Sequence, residues 1–203
     1  MQFRALKKAA ACGVLAAGLS ASMAAHANLV TNGDFETGDF SGWTASIDPV
    51  WDGVDSNAPQ AGTFAAFFGN PAGTSTISQT LATVAGTTYN INFWLMAEAD
   101  ATGVSAPNSF SFEWDGAAGA PAIVDSGPFG YTHFGYQLVA SSASTTLAFS
   151  FSDDVAFWDF DSVDVTAAAP EPTSLALVLG ALGGLVAVRR RQSAKGAAAR
   201  RAD

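Results

Sequence analysis

Three stretches of this chain alternate apolar and polar residues with a period of two, and that rhythm restricts the fold more than any other feature. Tyr89, Ile91, Phe93 and Leu95 alternate with Asn90, Asn92, Trp94 and Met96. Phe110, Phe112 and Trp114 alternate with Ser109, Ser111 and Glu113. Leu147, Phe149 and Phe151 alternate with Ala148, Ser150 and Ser152. A helix needs its apolar residues three or four apart; a half-buried strand needs them two apart. Residues 63–68, 75–81, 134–140 and 158–166 read as further strands. Clusters such as Gly69-Asn70-Pro71-Ala72-Gly73 and Ala85-Gly86-Thr87 separate them as turns. No amphipathic helical pattern and no internal repeat occurs between residues 28 and 166. About eight short strands in a stretch of this length predict an all-β, two-sheet sandwich of jelly-roll type.

The ends of the chain read differently. Arg4, Lys7 and Lys8 precede an apolar run from Ala9 to Leu19, and Ala25-His26-Ala27 is a small-x-small cleavage site. Residues 1–27 therefore read as a secretory signal peptide, with signal peptidase as a partner during export. Cys12 is the only cysteine and lies within the apolar run, not just after it, which excludes a lipoprotein reading. The exported chain then has neither a disulfide nor a thiol nucleophile. Residues 167–203 read as a linker followed by three parts in order: Pro170-Glu171-Pro172, an uncharged apolar run at 174–188, and a basic tail at 189–203 that opens with Arg189, Arg190 and Arg191. Fifteen residues of helix span about 22 Å against a hydrocarbon core of about 30 Å, so the run suits a thin or temporary membrane anchor with its basic end in the cytoplasm.

This order resembles the PEP-CTERM sorting signal of Gram-negative bacteria that make exopolysaccharide. The resemblance implies recognition by an exosortase, transient anchoring in the inner membrane, and delivery to the cell surface or extracellular matrix. A plain C-terminal tail anchor is the alternative, but it has no need of Pro-Glu-Pro.

Charge narrows the function. All nine Lys and Arg lie in the two terminal segments, leaving sixteen Asp and Glu and no basic residue between residues 28 and 169. Such a domain repels nucleic acid and anionic lipid, and it has no Arg fork for phosphate or sulfate. Its aromatic and β-branched content separates it from acidic disordered chains.

Two further stretches carry a second resemblance. The opening Asn28 to Glu36 (NLVTNGDFE), with Gly42-Trp43, and the closing Phe157 to Val165 (FWDFDSVDV) are similar to the first and last segments of galactose-binding-like jelly rolls, including carbohydrate-binding modules of families 4 and 9. In those modules an opening Glu and a closing Asp help hold a structural calcium, which would make Glu36 and Asp161 metal ligands here. Asp34 and Asp159, with Asp153 and Asp154, are weaker candidates. The residues offer their own argument: Asp161 shares strand parity with Val163 and Val165 and is expected to point toward the core. A buried carboxylate in a domain without Lys or Arg needs a metal or several hydrogen bonds. Solvation at a strand end, or acceptance of backbone N–H groups, is the alternative.

Catalytic motifs are absent: no Gly-x-Ser-x-Gly, His-Glu-x-x-His or Walker loop occurs. His133 stands alone between aromatic neighbours and reads as structural. Glu98 and Glu113 would be the pair to propose for glycosidase chemistry. Sugar binding has more support. Trp51 lies in the polar loop Asp48-Pro49-Val50-Trp51-Asp52, and Trp94 has the parity opposite to Phe93 and Leu95, so both are candidate stacking rings. Trp43, Trp114 and Trp158 read as core. The expected role is non-catalytic association with a neutral exopolysaccharide. A structural surface protein without a sugar site and a glycan-active enzyme are the rivals.

Overall fold

The computed structural model describes residues 27–105, 107–154 and 156–169. The expected signal peptide up to residue 26, the Pro170–Pro172 motif, the helix at 174–188 and the basic tail lie outside the described residues. Eleven strands are described: β1 (Thr44–Ser46), β2 (Asp52–Asp55), β3 (Ala65–Phe68), β4 (Ser75–Ala82), β5 (Thr88–Ala97), β6 (Asn108–Trp114), β7 (Ala117–Ala118), β8 (Ile123–Val124), β9 (Phe129–Val139), β10 (Ser144–Asp153) and β11 (Trp158–Ala167). No helix occurs among the described residues.

The strands form two antiparallel sheets. One has the order β1-β4-β10-β6-β7, with β8 also on β6; the other has the order β2-β3-β11-β5-β9. Their facing sides make one core, as the alternation requires: Ile77, Leu81, Phe110, Phe112, Trp114, Leu147, Phe149 and Phe151 from the first, and Ile91, Phe93, Leu95, Phe160, Val163 and Val165 from the second. Phe68 on β3 and Phe151 on β10 stack across the interface, with centroids 3.8 Å apart and planes 6° from parallel. This is the all-β jelly-roll sandwich expected from the rhythm of the sequence.

The N-terminal segment closes the sheet beside the last strand. Leu29 N–H donates to the Val165 carbonyl at 2.8 Å, and Val163 N–H to the Gly33 carbonyl at 2.7 Å. A side chain on Gly33 would put its Cβ 2.1 Å from the Val163 carbonyl oxygen, so this approach needs glycine. The first half of β11 pairs with β3 and its second half with this segment.

Three expectations are corrected. β3 begins at Ala65, not residue 63, because the N–H groups of Thr63 and Phe64 go to the Glu36 carboxylate instead of a strand partner. β9 begins at Phe129, five residues earlier than expected, and pairs with β5 along its length despite Gly130 and Gly135. Asp161 does not share the face of Val163 and Val165. Ser162 takes a φ of 54°, and the register passes from Asp161 opposite Trp94 to Asp164 opposite Asn92. Ser162 and Val163 together oppose Phe93, which is a β-bulge. The extra residue puts Phe160 and Val163 on the core side, and Asp159 and Asp161 on the other face with Trp94.

Candidate functional site

The outer face of the five-stranded sheet gathers the domain's polar and aromatic side chains. Antiparallel register places residues that oppose one another on the same side of a sheet. Asp161 opposes Trp94, and Trp94 opposes His133. The Trp94 and His133 rings lie 5.3 Å apart at 57°. Asp164 opposes Asn92, whose Nδ2 donates to the Asp164 carboxylate at 3.0 Å. Asn90 opposes Gln137, and the two amides hydrogen-bond at 2.9 Å. One row the other way, Gly53, Phe67, Asp159 and Met96 lie in line. A Cβ on Gly53 would come within 2.8 Å of the Phe67 ring, so glycine lets that ring lie over β2. His133 is exposed on this face beside Trp94, where sequence reasoning expected a structural residue.

The loop between β2 and β3, residues 56–64, folds over one end of this face. Gln60 and Ala61 N–H donate to Asp161 Oδ2 at 3.0 and 3.1 Å, and Ser162 N–H donates to Oδ1 at 2.5 Å. Thr63 and Phe64 N–H donate to Glu36 Oε1 at 2.6 and 2.9 Å. The Tyr131 hydroxyl donates to the Ala58 carbonyl at 2.6 Å. Glu36 and Asp161, far apart in sequence, are thus brought to one loop, and each holds part of its backbone. Gly62 sits tight against this grip, since a Cβ there would lie 2.3 Å from Glu36 Oε1. Burial pushes the Asp161 carboxyl up, against the opposing pull of three N–H donors. The two N–H groups of Phe64 and Thr63 hold Glu36 below its ordinary value.

These donors bear on calcium. Among the described residues no three His, Cys, Asp or Glu side chains form a group that could hold a metal ion. Both Asp161 oxygens and Oε1 of Glu36 already accept N–H groups, so a cation there would share those oxygens with the loop backbone. Asp34 is exposed and accepts the Glu36 N–H at 3.5 Å, Asp154 is exposed, and Asp153 is buried with Oδ1 accepting the Ala156 N–H at 2.8 Å.

Asp159 is the group that sequence reasoning undervalued. It is 4 % exposed, and its Oδ2 has no hydrogen-bond partner. Burial, then the charge and the adjoining carboxyl of Glu98, then the charge of Asp55, push its carboxyl up to about 8. Tyr131 is near those three acids and Asp161, and burial together with their charge raises its phenol, which stays protonated. Glu98 follows β5 directly, and its N–H donates to the Phe157 carbonyl at 2.9 Å just before β11 begins. The backbone therefore fixes the meeting of Glu98 and Asp159, sixty-one positions apart in the chain. Glu113 is on β6 in the other sheet, so the structure separates it from Glu98.

Trp51 lies on the turn that leads into β2, at the other end of that strand from the 56–64 loop. It is 42 % exposed, beside Val50 at 75 %. Buried Asp52 organises that turn: its carboxylate accepts Asp48 N–H at 2.8 Å, Gly69 N–H at 3.1 Å and the Ser75 hydroxyl. Gly69 N–H also donates to the Trp51 carbonyl at 3.1 Å, extending the β2–β3 ladder to the exposed ring. Trp43, Trp114 and Trp158 are buried as expected, with their indole N–H groups donating to the carbonyls of Asn32, Val139 and Ser152.

No protein-family profile and no curated protein matches the chain. Solved structures do. The carbohydrate-binding module TmCBM61, solved in complex with β-1,4-galactotriose, superposes with a TM-score of 0.56 at 18 % identity over 70 % of this chain and 99 % of that one. The K1 cleaved adhesin domain of Lys-gingipain from Porphyromonas gingivalis W83 gives 0.50 at 16 % identity, over 67 % of this chain and 96 % of that domain. A family 16 carbohydrate-binding module gives 0.48 at 17 % identity, over 68 % and 99 %. At such identities the likeness concerns the fold.

Proposed function

We propose that this chain is an exported, non-catalytic surface or matrix module that associates with exopolysaccharide through the outer face of its five-stranded sheet. The observation that carries this reading is the row on that face: the Trp94 and His133 rings side by side, flanked by the amides of Asn92, Asn90 and Gln137. Sugars are held by rings against their C–H faces and by amides and carboxylates on their hydroxyls. The jelly-roll likeness to solved carbohydrate-binding modules agrees with it. Export by a signal peptide and sorting by an exosortase through Pro170-Glu171-Pro172 and Arg189 to Arg191 belong to the same proposal, and intact-mass analysis of protein recovered from the cell surface checks them. Ends near residues 28 and 170 are expected; surface protein that still carries Arg189 to Arg191 contradicts sorting.

The non-catalytic reading agrees with the separation of the two acids that the sequence offers for glycosidase chemistry: Glu98 follows β5, and Glu113 is on β6 of the other sheet, whereas that chemistry needs two carboxyls flanking one bond. The binding test is a glycan panel titrated against the full chain and two variants. Trp94→Ala is expected to weaken binding about tenfold, the equivalent of about 1.4 kcal/mol, with melting little changed. Trp51→Ala is expected to weaken it less. Unchanged affinity in both variants removes these rings from the site.

Calcium at Glu36 and Asp161, the ligand pair that the family resemblance implies, is decided by melting in matched calcium, magnesium and chelator. With the N–H groups placed as they are, equal small shifts from the two ions are expected, as general screening of an acidic domain. A calcium-specific rise lost in both Glu36→Gln and Asp161→Asn would establish the site.

A further inference from the structure

We infer that the glycan recognised by this face carries free amino groups, and that Asp159, Glu98 and Asp55 form the receptor for one sugar ammonium. The inference rests on the sugar-binding reading above and narrows its ligand from a neutral polysaccharide to an amine-bearing one.

Two independent features point there. The first is Asp159, a carboxylate 4 % exposed with Oδ2 unpartnered. The other carboxylates of the covered end are satisfied: Asp161 by Gln60, Ala61 and Ser162, Glu36 by Thr63 and Phe64, and Asp55 by Asn57, whose N–H donates at 2.9 Å. Asp159 is left with the carboxyl of Glu98 for a neighbour, and two carboxylates cannot both remain ionised in contact without a cation or a proton between them. Residues 28–169 contain neither Lys nor Arg to fill that role. A ligand ammonium supplies three donors and the missing charge.

The second feature is access and company. Glu98 and Asp55 are half-exposed, so an amine arriving from solvent meets them first and Asp159 behind them. The adjacent row on the same face is Trp94 beside His133, with ring faces for the pyranoses that flank the amine-bearing one. Uronate or sulfated sugars meet repulsion from the same acids. An N-acetylated sugar is neutral and would leave Asp159 as it is. A polymer of glucosamine units matches the arrangement: rings in series with one ammonium per residue.

The experiment titrates the full chain at pH 6, where a sugar amine is protonated and its binding displaces to buffer the proton that Asp159 holds in the free domain, with three hexamers of equal length: glucosamine, N-acetylglucosamine and glucose. A lysine hexamer serves as a cation without pyranose rings. The glucosamine hexamer is expected to bind at least tenfold more tightly than the other two sugars and the peptide. Asp159→Asn is expected to remove that preference while leaving the weaker neutral-sugar affinity in place; Glu113→Gln, which neutralises an exposed acid on the opposite sheet, is expected to keep it. Melting of Asp159→Asn confirms that the variant is folded. Equal binding of the lysine hexamer, or equal losses in Asp159→Asn and Glu113→Gln, would make the effect general attraction to an acidic domain and overturn the inference. Neutral hexamers bound as tightly as glucosamine, with binding lost in Trp94→Ala, would overturn it and leave the sugar-binding reading standing. No binding of any sugar would remove both.

Discussion

Asp159→Asn is expected to raise the melting temperature at pH 8 and to leave it almost unchanged at pH 4. In the folded domain the Asp159 carboxyl titrates near 8, against an ordinary value of 3.8. The folded state therefore holds a proton that the unfolded chain releases, and stability falls with rising pH wherever the folded state binds more protons. The contribution is fully present below about pH 4 and is lost as pH rises toward 8, at a limiting slope of about 1.4 kcal/mol per pH unit. Asn keeps the shape and removes the ionisation, so the variant escapes the loss. Glu36, Asp39 and Asp100 act in the opposite direction: N–H or hydroxyl donors hold each carboxyl down, so what they add is lost as pH falls through their lowered values. Comparing variant with parent at each pH cancels these terms. Parallel melting curves for the two proteins from pH 4 to pH 9 would show that Asp159 is ionised in the folded domain at neutral pH.

Phe93→Ala is expected to cost about 3–5 kcal/mol, a large part of the about 5–15 kcal/mol that holds a domain together. Phe93 is fully buried at the centre of the sandwich. Its ring meets Phe134 and Tyr136 on β9, Phe160 on β11, and Phe110, Phe112 and Phe149 across the core, with centroids 5.3–6.1 Å away. Deleting it leaves a cavity walled by rings from both sheets, which cannot collapse without moving strands. A fall in melting temperature of roughly 10–20 °C follows for a domain of this size. Trp94→Ala, one residue along and on the other face, should cost far less. Similar losses at the two positions would mean that the outer face is packed like a core.

The contrast between Phe93 and Trp94 was legible in the sequence because β5 keeps its period of two without interruption from Thr88 to Leu95. The same rule misplaced Asp161. A bulge inserts one residue and reverses the parity of everything after it, and Ser162 carries no glycine or Asn-Gly signature to announce it. β1, β2, β7 and β8 are two to four residues long, too short for any period to register. Glu36 and Asp161 meet at one loop. Their partners there are the N–H groups of residues 60–64, which a sequence does not place. The Glu98–Asp159 contact was out of reach for a related reason: it follows from β5 lying beside β11, and nothing local to either acid signals the pairing.

On the proposed function, glycan binds to the outer face of the five-stranded sheet. Amide and indole chemical-shift mapping of the full chain, titrated with the tightest-binding hexamer of the glucosamine, N-acetylglucosamine and glucose series, tests it most directly. The largest shifts are expected at Asn92, Trp94, Tyr131 and His133, with Glu98 following when the sugar carries amines. Shifts centred on β4, β10 and β6, or scattered without saturation, would contradict it.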